Sequence, residues 1–178
     1  MIAYNNQNFI KYIDNKDILL KIKAVSKKIS KDFRDKDVLF LGVLNGSVRF
    51  MMNILENLTI PYQYSFIKIS SYNNIKRGEI KLDLDVDEKH VRDKHVIIVE
   101  DIIDSGKTVK FIIKHLRKMS PESLKVLSLL VKKKTKEDSD YYGFKIDNKF
   151  VIGYGLDYAQ KFRGLSSIYN LNPKKESK

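Results

Sequence analysis

Apolar residues recur along this chain with two different periods, and the switching between them predicts the order of elements. From 15 to 34, Ile18, Ile22, Val25, Ile29 and Phe33 fall three or four residues apart, which places them on one side of a helix. VLFLGVL (38–44) then runs apolar without a break and ends at NGS, as a strand covered on both faces does when turn formers stop it. Val48, Met51, Met52, Leu55 and Leu58 restore the helical period up to Pro61. YQYSFIKIS (62–70) is β-branched and aromatic and predicts a strand, SYNNIKRGE a mobile polar loop, and the alternating IKLDLDV (80–86) a half-exposed strand. HVIIVE (95–100) is a second buried strand, followed by a helix carrying Val109, Ile112, Ile113 and Leu116. Two more strands are predicted at SLKVLSLLVK (123–132) and KFVIGYGL (149–156), joined through the charged KKKTKEDSD. The tail after Leu171 is expected to fray.

Buried strands alternating with amphipathic helices predict an α/β fold, a mostly parallel twisted sheet with helices on both faces. Ligands bind such sheets at the carboxyl ends of the strands, and the motifs below fall at those ends. The 178 residues suit a single domain with a real core. There is no cysteine, which excludes disulfides and thiolate metal sites. The first residues lack a basic-then-apolar signal pattern and no apolar run reaches membrane-spanning length, so a cytoplasmic protein without a membrane partner is expected. The net charge of +12 would attract a polyphosphate or a nucleic acid. The lysines are scattered rather than gathered on one helix face, however, and Asn, Ile and Tyr are plentiful too, which points to compositional bias.

The densest chemistry lies in VIIVEDIIDSGKT (96–108). Its GKT closes a P-loop, yet the first glycine of G-x-x-x-x-G-K-[ST] is replaced by Asp101, beside Glu100. Gly106 and Ser105 let backbone N–H groups turn toward one point at the start of a helix, whose partial positive charge adds to them. Ser105 and Thr108 supply hydroxyls, so Asp104, Ser105, Gly106, Lys107 and Thr108 make a monophosphate seat following Ile103. Glu100 and Asp101 would repel that phosphate. Carboxylates instead accept hydrogen bonds from vicinal hydroxyls and hold Mg²⁺. A phosphate seat beside hydroxyl acceptors fits a ribose 5-phosphate. Three acids at the mouth of a buried strand are costly unless they bind something. Taken singly, Lys132, Phe150, Asp157 and Arg163 carry no such signal: a solvated lysine, a core aromatic and a surface ion pair are the ordinary explanations.

VIIVEDIIDSGKT resembles the phosphoribosyl diphosphate signature of the type I phosphoribosyltransferases. LGVLNGSVRF is similar to their pyrophosphate loop, SSYNN to the start of the mobile catalytic loop, and SLLVKKKT and KFVIGYGLDYAQKFRGL to the base-recognising segments. Together these resemble the hypoxanthine-guanine branch, over about Phe9 to Leu171, and the last segment is the one specific to that branch. The resemblance implies a core at about 36–135, a small hood from about 1–20 and 140–171, and a flexible tail at 172–178. It implies conversion of hypoxanthine or guanine plus phosphoribosyl diphosphate to IMP or GMP plus pyrophosphate, with Mg²⁺, in a homodimer or homotetramer. Glu100 and Asp101 would hold the ribose hydroxyls, directly or through Mg²⁺, and Asp104 to Thr108 the 5′-phosphate. Asp104 would act as acid/base near purine N7, and Lys132 would donate to O6. Phe150 would stack on the ring, and Val151 would offer backbone groups to its edge. Asp157 would hold a second Mg²⁺ near the base. Leu44, Asn45, Gly46, Ser47 and Arg163 would bind pyrophosphate, while Ser71 and Tyr72 would close over the reaction.

The chain departs from that pattern at Asn45, where Lys or Arg is usual, and in a mobile loop that is a residue short and carries Lys76-Arg77-Gly78. Backbone amides of Asn45, Gly46 and Ser47 could still hold pyrophosphate, and Arg49 is close in sequence. Converging those amides just after a buried strand calls for a cis peptide at Leu44–Asn45, a rare bond without proline. His90, His95 and His115 have no metal or triad spacing. Two alternatives stay open. One is a nucleic-acid-binding regulator on the same fold, against which an intact Asp104, Lys132, Ser71-Tyr72 and Asp157 argue, and the other is a transferase preferring xanthine.

Overall fold

The structure, a computed structural model, describes residues 1–71, 80–133, 135 and 139–172. The chain runs β1 (Ile2–Tyr4), β2 (Gln7–Ile13), α1 (Asn15–Asp32), β3 (Val38–Leu44), α2 (Ser47–Leu55), β4 (Gln63–Ser71), β5 (Ile80–Leu84), β6 (His95–Ile103), α3 (Lys107–Leu116), β7 (Ser123–Lys132), β8 (Tyr141–Ile146), β9 (Val151–Ile152) and β10 (Ile168–Asn172). A six-stranded sheet is ordered β5-β4-β3-β6-β7-β8. Its pairs are parallel except β4 with β5, which run antiparallel.

Both faces of this sheet are covered, which explains the unbroken apolar runs of β3 and β6. Phe40, Ile97, Val99 and Leu127 pack with Ile18, Ile22 and Ile29 of α1 and with Phe50, Met51 and Ile54 of α2. The alternate residues Leu39, Leu41, Ile98 and Val126 pack with Val109, Ile112 and Leu116 of α3. Each such side chain, withdrawn fully from water, contributes about 1.5–3 kcal/mol. Asp14 starts α1 by accepting from the Lys16 N–H at 3.0 Å, as an N-cap should. Crossovers between parallel strands usually carry a helix, and the loops that leave β3 and β6 lead straight into the N-termini of α2 and α3 on one edge.

The predicted strand at 149–156 is corrected by the structure. Only Val151–Ile152 is strand, and it belongs to a second sheet. Gly153 (φ 92°), Tyr154 (φ 52°) and Gly155 (φ 101°) turn the chain sharply after it. A Cβ on Gly153 would meet the Ser167 carbonyl oxygen at 2.3 Å, so the close approach also requires glycine. The second sheet, β1-β2-β10-β9, is antiparallel and joins the two ends of the chain, with Phe9 opposite Leu171 and Ile13 opposite Ile168. The boundary expected at 140–171 for this hood includes β8, yet β8 pairs parallel with β7 as an edge of the six-stranded sheet. Among the described residues no helix is long and apolar enough to cross a membrane.

Candidate active site

Two helix N-termini open on the same edge, one from each of two adjacent parallel strands. At the end of β6 the Ile103 side chain is 2% exposed and packs in the α3 core. Its carbonyl accepts from Thr135 Oγ1 at 3.1 Å, so Ile103 serves the site through backbone position alone. Asp104 and Ser105 are exposed, and Gly106 caps α3 at φ 72° with no side-chain cap bond. The left-handed φ favours glycine, and a glycine cap brings no side-chain acceptor of its own to the first-turn N–H groups, an arrangement open to an anion. Lys107 is exposed and Thr108 half-buried. After β3 the arrangement repeats. The Leu44–Asn45 peptide is cis, as expected from the sequence, and Gly46 stands at the N-cap of α2, again without a side-chain cap bond. Ser47 is fully buried and its Oγ donates to the Val43 carbonyl at 2.7 Å, which leaves its N–H as its contribution.

Glu100 and Asp101 lie between these two helix starts. With Val43, Ile69, Ser70, Ile102 and Thr108 they line a cleft of about 280 Å³. Glu100 is 6% exposed, and burial, reinforced by the Asp101 charge, pushes its carboxyl well above the usual range. Burial also raises Asp101, from 3.8 to about 6. The Ile102 N–H, donating to Asp101 Oδ1 at 2.8 Å, and the Arg163 charge oppose that rise, while the Asp157 charge adds to it. Acids whose charged forms burial penalises in this way are suited to a cation or to hydroxyl donors.

That burial has a stability consequence in the ligand-free, metal-free protein. Unfolded, Asp101 titrates near 3.8; folded, near 6. Between those values the unfolded state gives up its proton first, so stability falls as pH rises through this window. Asp101→Asn removes the penalty. In chelator-treated protein it should raise stability by on the order of 2 kcal/mol at about pH 8 and by nothing at about pH 3. Thermal melts of the variant and wild type across that range check this; a gain that is independent of pH would refute it.

Lys132 ends β7 with its side chain 12% exposed, and its Nζ lies 3.0 Å from Asp104 Oδ2. The same ammonium donates to Asn148 Oδ1 at 3.0 Å. Phe150 is 47% exposed, contrary to the core position its apolar neighbours suggest. Its ring meets Tyr158 edge-on, with 5.7 Å between centroids, and an exposed face is what ring stacking needs. Val151 is buried in β9. Asp157 accepts from the Gln160 N–H at 2.8 Å and pairs with Arg163 at 2.6 Å. Arg163 also donates to the Gly155 carbonyl at 2.8 Å. Ala159, Gln160 and Phe162, at φ 51°, 62° and 75°, flank these two residues. Left-handed residues of this kind persist where surrounding contacts over-determine them, often at ligand sites. Arg49 does not supply the cation missing at Asn45. Its guanidinium donates to the carbonyls of Gly164 and Leu165 at 3.0 and 2.9 Å and lies over the Tyr154 ring at 4.6 Å. Asn45 itself is exposed. Ser71 closes β4 at the same edge, and Tyr72 lies outside the described residues.

Residues 11–159 match the family model of the phosphoribosyl transferase domain. The chain belongs to the phosphoribosyltransferase family. It is 34% identical over 166 residues to the hypoxanthine-guanine phosphoribosyltransferase of Bacillus subtilis, covering 90% of this chain and 92% of that one. A crystal structure of a hypoxanthine-guanine phosphoribosyltransferase from Bacillus anthracis superimposes with a TM-score of 0.85 at 33% identity, over 94% of this chain and all of that one. The hypoxanthine-guanine phosphoribosyltransferase of L. donovani gives 0.84 at 32% identity, over 92% of this chain and 99% of that one. As a phosphoribosyltransferase the chain has two further polar residues in its site region, Asn148 and Arg49. Asn148 does not stand out in sequence, and Arg49 does so only by its nearness to Asn45. Asn148 gains meaning only from β7 lying beside β8, and the Arg49 partners lie more than a hundred residues away.

Proposed function

We propose that the protein transfers the ribose 5-phosphate group of phosphoribosyl diphosphate to hypoxanthine or guanine, giving IMP or GMP and releasing pyrophosphate. The observation that carries this reading is the 3.0 Å pairing of Asp104 with Lys132, which links the approach to α3 with the end of β7. Asp104 can hold the purine proton next to the phosphate seat. Lys132 offers donors only, suited to a 6-oxo group whose oxygen gains negative charge in the reaction. The N–H groups at the start of α3 would bind the 5′-phosphate, those of Asn45, Gly46 and Ser47 the pyrophosphate, and Arg163 would support the latter. Glu100 and Asp101 would take the ribose hydroxyls, Phe150 the ring face and Val151 the base edge. Ser71 and Tyr72 would exclude water from a carbocation-like transition state.

The donor set suits Mg²⁺. Hard oxygen ligands from Glu100 and Asp101, and separately from Asp157, fit an ion that typically takes one or two carboxylates together with substrate phosphates. Among the described residues no group of three or more such ligands is preassembled, consistent with the substrate completing the shell. Bound Mg²⁺ would neutralise charge on the departing pyrophosphate. A homodimer or homotetramer in the cytoplasm, built from single-domain subunits, belongs to the same proposal.

Assays of hypoxanthine, guanine and xanthine with phosphoribosyl diphosphate and Mg²⁺, with nucleotide products separated by chromatography, test it. Turnover of the first two supports the reading; xanthine alone would move it to another base, and no turnover would overturn it. Lys132→Gln offers an acceptor as well as a donor. It should narrow the gap between hypoxanthine and adenine, and an unmoved ratio of their kcat/KM values would mean that O6 is read elsewhere.

A further inference from the structure

We infer that Asn148 is a positioning residue for Lys132, holding its ammonium so that one N–H is left for the purine 6-oxo group. This rests on the proposed reaction and deepens it. An ammonium carries three donors and no acceptor. In the structure Lys132 Nζ meets Asp104 Oδ2 and Asn148 Oδ1, each at 3.0 Å. No third acceptor meets it among the described residues, so two contacts fix the direction of the remaining N–H. A lysine side chain held by only one partner would swing about it on a flexible four-carbon stem.

The chemistry of the second acceptor matters as much as its place. Asn148 is neutral, so it orients the ammonium without cancelling the charge that a developing purine anion needs. Asp104 already supplies one carboxylate. A second would neutralise Lys132 and compete with the base for it. Asn148 is exposed and lies between β8 and β9, two and three residues before Phe150 and Val151. The segment that offers the base its stacking ring and edge contacts thus also carries the residue that orients its O6 donor. Without Asn148, Lys132 is left to Asp104 alone, which pulls it toward the acid/base group and away from O6.

The test compares hypoxanthine and adenine by kcat/KM in wild type, Asn148→Ala and Asn148→Asp, each also in a Lys132→Gln background. Asn148→Ala should reduce the hypoxanthine preference roughly 5–10-fold, the scale of one lost orienting hydrogen bond, with an unchanged melting temperature. Asn148→Asp keeps the acceptor, so it should restore the preference while lowering kcat on hypoxanthine. In the Lys132→Gln background neither change should move the ratio. An active wild type whose preference survives Asn148→Ala, or an Asn148 effect that persists without Lys132, overturns the inference and leaves the proposed reaction standing. A wild type inactive on every 6-oxopurine removes the reaction and the inference with it.

Discussion

Asp104→Asn is expected to lower kcat by roughly 10–10³-fold, the scale of lost general acid–base assistance, with nucleotide binding nearly intact. The side chain is 56% exposed and stands at the entrance to the phosphate seat, 3.0 Å from Lys132. An amide keeps most of the shape and one acceptor but can no longer take and return a proton. The proposed phosphate seat would use mainly backbone N–H groups at the start of α3, so product affinity should change little. Steady-state kinetics and equilibrium binding of IMP separate the two effects. An unchanged kcat would remove Asp104 from the mechanism; a parallel collapse of IMP binding would make it a structural residue.

Gly46→Ala should cost roughly 10²-fold in kcat/KM for phosphoribosyl diphosphate, as a misplaced site does. A Cβ there would lie 1.6 Å from Asp101 Oδ2 and 2.4 Å from its Cγ. Either the acid or the pyrophosphate loop must move. On its other side the loop is confined, because a Cβ on Gly155 would meet the Gly46 carbonyl oxygen at 2.0 Å. The lost fit should also lower stability by about 1–3 kcal/mol. Gly164→Ala is the control: its Cβ would meet nothing within 4 Å, and its kcat/KM should match wild type. Unimpaired kinetics in Gly46→Ala would show that the contact between loop and acid does not matter.

The six-stranded sheet was legible because burial on both faces writes itself into VLFLGVL and HVIIVE, and because the helices keep their period. The hood was not. IAY, QNFIKYI and IYNLN are short and mixed in polarity, and QNFIKYI pairs with IYNLN more than a hundred residues away, a relation no local window carries. KFVIGYGL reads as a strand throughout since periodicity ignores backbone sign; the turn at Gly153–Gly155 is visible only in φ. In the site, Glu100 and Asp101 announced themselves as acids on a buried strand, where charge needs a reason. Phe150 did not, because an apolar letter in an apolar run says core whether or not its ring is covered. Arg49 was misleading, since proximity in sequence suggested a phosphate cation and its carbonyl partners belong to the hood.

The hood sheet has a consequence for the order in which the working parts come into being. β2 is made early but has no partner on its other edge until β10, whose Ile168 pairs with Ile13, has been synthesised. Chains emerge from the ribosome amino end first, so the phosphate and pyrophosphate seats on β3 and β6 can form while β2 still waits. Closing a loop that long is entropically unfavourable and slow to be rewarded. A nascent chain therefore holds the helix starts after β3 and β6 well before β10 can close the second sheet on β2.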